Sequence, residues 1–393
     1  MVGGRSIVKI METFNEVYDG TLGKIPCANT IDLWTCKCGL DTYNRNAAEL
    51  RDQEYCEILD ESMMIGSNKL VLTLAAPAKH LQHPLTHSDV AVIGIDTAES
   101  FNAEKICDTA VKSAAKVGHA PEYVITDNAR AMIKGVSDAG YRRHADITHT
   151  LGVHLERTYK EEEDFREYCK LMSDAQFQHN MKRVAYLMPP RQRTVSRFIN
   201  LDNWVKWSLK VLDVYHRLES AEREVLSFVP AHASLVEELS EVMRVVRFIE
   251  SLCKKEGLSK ASVNKCIRHL SATLLQGNER MRRLGLAILE FLREEVSWMG
   301  DDEIHNNSSD IIESSYGVYK NRKSPNKLYG VTSMVLMMPV FEKLSNQESA
   351  RKYNFREHLE NIKVHNINLW KKKNLPENLV SKRIRTLSLA VGF

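Results

Sequence analysis

Between residues 55 and 147 the chain keeps switching texture, and that alternation limits its folds more than any other feature. YCEILD, KLVLTLAAP and VAVIGID are three successive β-prone runs separated by polar loops, and EYVITD and RRHADI are two more. Helical spacing fills the intervals. Ile106, Ala110, Ala114 and Val117 share one face of a segment at about 101–117, and NARAMIKGVSDAG forms a second helical stretch. Three strands followed by helix, strand, helix, strand predict an α/β fold with a mixed five-stranded sheet flanked by helices.

Strand texture then stops. From about 161 to 305 apolar residues recur at heptad-like spacing, as in Leu235, Leu239, Val242, Val246 and Ile249. This block predicts a large all-α domain inserted into the sheet domain. A polar link, HNNSSD, leads into a further helix, IIESSYGVYKNRK. The expected organisation is a helical N-terminal segment over 1–50, the first part of the sheet core over 51–160, the all-α insertion over 161–305, the last part of the core over 306–345, and a basic tail over 346–393.

At the N-terminus Ile7, Ile10, Met11, Phe14 and Val17 are helically spaced before GKIPCANT breaks the pattern. A second short helix opens at Asn29 or Thr30 and runs through Ile31, Leu33 and Trp34. The pair reads either as half of a DNA-binding helix-turn-helix or as a plain helical lead-in. No apolar run reaches the ~18 residues of a membrane span, and MVGGRSIVKIMETF lacks the apolar stretch of a secretory signal. An intracellular protein is expected, with its eight cysteines as thiols. The net charge of +3 says little, but residues 351–393 hold ten Lys or Arg against three Glu, which suits either a polyanion partner or a solvated tail.

Two aspartates end predicted strands: Asp60 after YCEIL and Asp127 after YVIT. If those two strands pair, both carboxylates reach one sheet edge, where ligand-binding groups gather. Glu313, on the helix after the helical block, is placed to pack across that edge. Three converging carboxylates repel, each pair at ~4 Å costing about 4 kcal/mol at an effective dielectric near 20. A divalent cation relieves that repulsion, and an all-oxygen set suits Mg2+. Taken singly, each residue also has a structural explanation. An aspartate at a strand end commonly forms a turn or caps a helix, and a glutamate on a helix is commonly just solvated.

ILDESMMIGS, YVITDNA, DITHTLGVHLERTY and DIIESSYGVYKN together resemble segments of bacterial insertion-sequence transposases of the DDE class. The resemblance spans roughly residues 55–345. It implies an RNase H-like core, catalysis and metal binding by Asp60, Asp127 and Glu313, Mg2+ as cofactor with Mn2+ able to substitute, and cleavage and strand transfer of double-stranded DNA. It also implies at least a homodimer when two DNA ends are held, and a place in the bacterial cytoplasm with the nucleoid. The long helical block is similar to the insertion of some cut-and-paste families. Two features depart from the pattern: only 59 residues precede Asp60, and Asp310 lies one helical turn before Glu313.

Further residues fit the same chemistry. Lys320 follows Glu313 by seven residues and shares its helix face, and Arg322 and Lys323 extend the basic patch. His149, after the fifth strand, resembles a histidine near the metal site of several such enzymes, and Asp146 is a candidate additional carboxylate; a helix-capping or core histidine is the alternative for His149. Arg191, Arg193 and Arg197 with Trp204 and Trp207 combine phosphate-binding cations with indoles able to stack on an unpaired base, as does Trp298; packing is the alternative for the indoles. Cys36 and Cys38, with Cys27 nearby, have no second pair or histidine at zinc spacing, and His80, His83 and His87 cluster in a loop containing Pro84 that reads as a polar connection between the second and third strands, with metal binding as the alternative. Three functions remain in competition: an active transposase, a DNA-binding protein derived from one without catalysis, and a cellular nuclease of the same fold.

Overall fold

The computed structural model describes residues 3–62, 64–191, 198, 201–322, 328, 330–377 and 379–391. The chain opens with α1 (Gly4–Val17) and α2 (Ala28–Glu49), followed by β1 (Tyr55–Glu61), β2 (Lys69–Pro77) and β3 (Ala91–Ala98). Then come α3 (Ala103–Val117), β4 (Val124–Thr126), α4 (Arg130–Asp138) and β5 (Arg143–Ala145). The helical stretch comprises α5 (Ile147–Tyr159), α6 (Glu163–His179), α7 (Leu201–Val214), α8 (Ser220–Leu226), α9 (Phe228–Ala231), α10 (Ala233–Glu256), α11 (Lys260–Ala272) and α12 (Glu279–Val296). It is followed by α13 (Asp310–Lys320), α14 (Met337–Lys343), α15 (Gln347–Lys352), α16 (Phe355–Asn361), α17 (Val364–Asn374) and α18 (Leu379–Val391). Contacts divide the chain into a sheet unit, Met1–His144 with Ser308–Phe393, and a helical unit, Ala145–Asn307.

The sheet is mixed, with strand order β3-β2-β1-β4-β5. β1 runs antiparallel to β2, which runs antiparallel to β3, whereas β1 and β4 are parallel with Ile58 opposite Ile125. On one face Leu59, Val71 and Val124 pack against Ile106 and Ala110 of α3 and Met132 and Val136 of α4. These two helices cross tightly because residue 135 is glycine: a Cβ there would lie 2.6 Å from Ile106. Asn102 caps α3 by accepting from the Lys105 amide at 3.0 Å, and Gly118 ends the helix in the left-handed conformation.

Helix α2 is longer than the sequence suggested and is built into the sheet unit. Cys36, Cys38, Leu40, Tyr43 and Ala47 are all buried. At Gly39 a Cβ would come within 1.8 Å of the Leu336 carbonyl, so only glycine allows this approach. Part of the stretch expected to form a basic tail, as far as Asn374, also folds back. The Tyr353 hydroxyl lies 2.8 Å from Thr42 Oγ1, Thr97 donates to the Asn374 carbonyl at 2.8 Å, and Ile362 and Ile367 are buried.

The helical unit has its own apolar core. Leu151, Leu155 and Tyr159 of α5 join Phe165, Leu201, Trp204, Val246, Leu284 and Ile288 there, so α5 belongs with the helices. All five heptad-spaced residues of α10 are buried. The two ends of the unit meet: the Ile147 amide donates to the Asn307 carbonyl at 2.9 Å. Among the described residues, no helix is long and apolar enough to cross a membrane.

Candidate active site at the β1–β4 strand end

Paired residues of adjacent parallel strands point to the same side of a sheet, and every second residue along a strand returns to that side. Asp60 and Asp127 each lie two residues past the Ile58–Ile125 pair. The register therefore brings Asp60 and the loop that carries Asp127 to the same end of the paired strands. Both aspartates are half-buried.

Each aspartate also shapes its local backbone. Asp60 Oδ1 accepts from the Glu61 amide at 2.7 Å, and Asp127 Oδ1 accepts from the Ala129 amide at 3.0 Å, a turn that leads into α4. Arg143, on β5, clamps the same loop. Its Nε donates to Thr126 Oγ1 at 2.7 Å, and its Nη2 donates to the Asp127 carbonyl at 2.7 Å and to Asn128 Oδ1 at 2.8 Å. The sequence carried no signal for this role, because an arginine in a short strand is not distinctive until its neighbours are known.

Helix α13 docks on the same strand end. The buried Tyr316 hydroxyl donates to the Asp60 carbonyl at 2.6 Å and accepts from the Leu72 amide at 2.9 Å. Burial pushes its phenol well above the ordinary range, so it stays a neutral donor. Glu313 lies three residues earlier, on the face that turns with Tyr316, and its side chain is exposed. Three carboxylates form a donor set suited to Mg2+. Among the described residues, however, no group of three or more His, Cys, Asp or Glu side chains is close enough to hold a metal ion. The structure brings together the elements that carry the three residues without bringing the carboxylates themselves into a ligand cluster.

A second brace holds α13. Ser315 donates to Glu342 Oε1 at 2.5 Å, and Glu342 Oε2 lies 2.6 Å from His87 Nδ1. Burial raises the Glu342 carboxyl while the His87 and Ser315 bonds oppose that rise. His87 thus works within the fold, and the other two histidines of its loop turn to local partners. His80 Nδ1 accepts from the Gln82 amide at 2.9 Å, and His83 Nδ1 lies 3.0 Å from the Pro84 carbonyl.

The basic candidates are placed unevenly. Lys320 Nζ sits 5.4 Å from the centre of the Tyr316 ring, a cation–π distance. The Arg322 guanidinium lies beside Gly3, where an added Cβ would meet Nη1 at 2.8 Å. Arg191 is exposed. Lys323, Arg193 and Arg197 lie outside the described residues.

Two indoles need correction. Trp204 is 5% exposed and donates to the Pro190 carbonyl at 2.8 Å, so it serves the helical core and cannot stack on a base. Trp207 is partly buried, donates to the Leu187 carbonyl at 3.0 Å and stacks on Phe228. Trp298 packs against the same core, tilted against His305. In the same unit Asp146 is fully buried and caps α5, accepting from the His149 amide at 2.7 Å and lying 3.0 Å from His149 Nδ1. No protein-family model matches the chain, and no curated protein matches it significantly.

Proposed function

We propose that the chain is a DDE-class DNA transposase with an RNase H-like core, acting on double-stranded DNA through Asp60, Asp127 and Glu313. The observation that supports this reading is the parallel β1–β4 pairing, at whose end Asp60 and Asp127 both lie, with the helix of Glu313 anchored to the Asp60 carbonyl through Tyr316. Two further features support it. The strand order, with three antiparallel strands and then one parallel to the first, is the arrangement an RNase H-like sheet requires. The helical unit leaves and rejoins the chain at one point, as an inserted domain would.

Two Mg2+ ions would supply an activated water or 3′-hydroxyl and stabilise the leaving oxygen of a phosphodiester displacement. The protein's own part is positioning. Arg143 fixes the loop behind Asp127, Tyr316 fixes α13, and Lys320 and Arg322 offer cations to the phosphates flanking the scissile bond. Synapsis of two DNA ends calls for at least a dimer, and the substrate places the protein with the bacterial nucleoid.

The test is cleavage of supercoiled plasmid and of short duplexes with Mg2+ or Mn2+, comparing wild type with Asp127→Ala. Metal-dependent nicking that the substitution abolishes supports the reading. Nicking that survives it removes Asp127 from the chemistry. DNA binding without nicking in the wild type selects the alternative, a transposase-derived DNA-binding protein without catalysis.

A further inference from the structure

His87 does more than brace a helix. Its Nδ1 lies 2.6 Å from Glu342 Oε2, while its Nε2 lies 2.9 Å from Ser314 Oγ. With the buried Glu342, 1% exposed, ionised, its Oε2 accepts the Nδ1 proton, which leaves Nε2 as an acceptor. That acceptor faces a serine hydroxyl on the exposed side of α13. Ser315 steadies the other Glu342 oxygen at 2.5 Å, and Phe341 meets the His87 ring edge-on with centroids 4.7 Å apart. Hydroxyl, imidazole and carboxylate come from three separate segments, in the order and at the spacing that activate a serine.

We propose that Ser314 is an activated nucleophile, with His87 as its base and Glu342 orienting that base, and that it accepts the acyl group of an ester. In the first step Ser314 Oγ bonds to the carbonyl carbon, its proton passes to His87 Nε2, and the carbon–oxygen bond to the leaving alcohol breaks as that alcohol takes the proton. In the second step water attacks the acyl-serine, loses a proton through His87, and releases the carboxylic acid with Ser314 restored. The sum is ester plus water to acid plus alcohol, with no change of oxidation state. Because Ser314 is exposed, the tetrahedral oxyanion is met by solvent, so esters with good leaving groups react best. This chemistry does not depend on the transposase reading.

The test treats the full-length protein with a fluorophosphonate probe and, separately, with p-nitrophenyl acetate. Modified residues are mapped by mass spectrometry. Ser88, an exposed serine next to His87 whose hydroxyl lies 2.8 Å from Thr86 Oγ1, is the internal control in every sample. Ser314 should be labelled at least about a hundred-fold faster than Ser88, the scale of general-base assistance. His87→Ala should remove that excess, Glu342→Gln should reduce it, and Ser314→Ala should abolish nitrophenolate release. Labelling of Ser314 no faster than Ser88, or labelling that His87→Ala leaves unchanged in a folded variant, overturns the proposal.

Discussion

The sheet unit and the helical unit use their polar and aromatic side chains differently. In the helical unit, residues whose types suggested base stacking or an additional site carboxylate are committed to the fold: Trp204 and Trp207 donate to backbone carbonyls and Asp146 caps a helix. In the sheet unit, Asp60 and Asp127 stand at a strand end, held by their own loops and braced by Arg143 and Tyr316. Residue type alone does not separate these cases. A buried indole in a helical core spends its donor internally, whereas a strand end is where backbone pairing stops and side chains become available.

This contrast can be broken first at Trp204. Trp204→Ala should destabilise the helical unit by about 3–5 kcal/mol, read by chemical denaturation, as expected for emptying a core site. Weakened DNA binding with unchanged stability would restore the indole to the DNA surface. Next is Arg143. If the proposed transposase reading holds, Arg143→Ala should lower DNA nicking by about ten- to a hundred-fold, the usual cost of losing a residue that orients metal ligands, while global stability changes little. An unchanged rate would detach the clamp from function. Smaller again, Asp146→Ala should cost about 1 kcal/mol as a lost helix cap and leave the apparent Mg2+ requirement of nicking unaltered.

Glu57 sharpens the contrast in a different way. It is fully buried in β1, neither carboxyl oxygen has a hydrogen-bond partner among the described residues, and burial drives its carboxyl well above the ordinary range. The folded protein therefore keeps a proton that the unfolded chain loses above its ordinary value of 4.5. Its contribution to stability is complete below that value and falls as pH rises towards the folded-state value, by up to about 1.4 kcal/mol per pH unit. Glu57→Gln should flatten this part of a melting-temperature–pH curve. A slope that persists would place the titration elsewhere.

Much of the sheet was legible because β-branched runs bounded by polar loops are a strong local signal, and Asp60 and Asp127 stood out at their ends. Strand pairing was not legible. That β4 lies parallel beside β1 follows from α3 crossing the sheet, which sequence could pose only as a condition. The last 43 residues, 351–393, read as a basic tail because charge counting overlooks sparse apolar anchors such as Ile362, Ile367 and Trp370, the last meeting Tyr43 edge-on. Tyr316, His87 and Glu342 were missed because their partners are distant in sequence: 256 residues separate Tyr316 from Asp60 and 255 separate His87 from Glu342.

The most direct test of the three-carboxylate site is Mn2+ binding, followed by electron paramagnetic resonance on the full-length protein and on Asp60→Asn, Asp127→Asn and Glu313→Gln. The expected result is saturable binding by the wild type that each substitution weakens at least about ten-fold, on the scale of lost metal-site interactions. Binding that is absent from the wild type, or indifferent to all three substitutions, would contradict a metal site at the β1–β4 strand end.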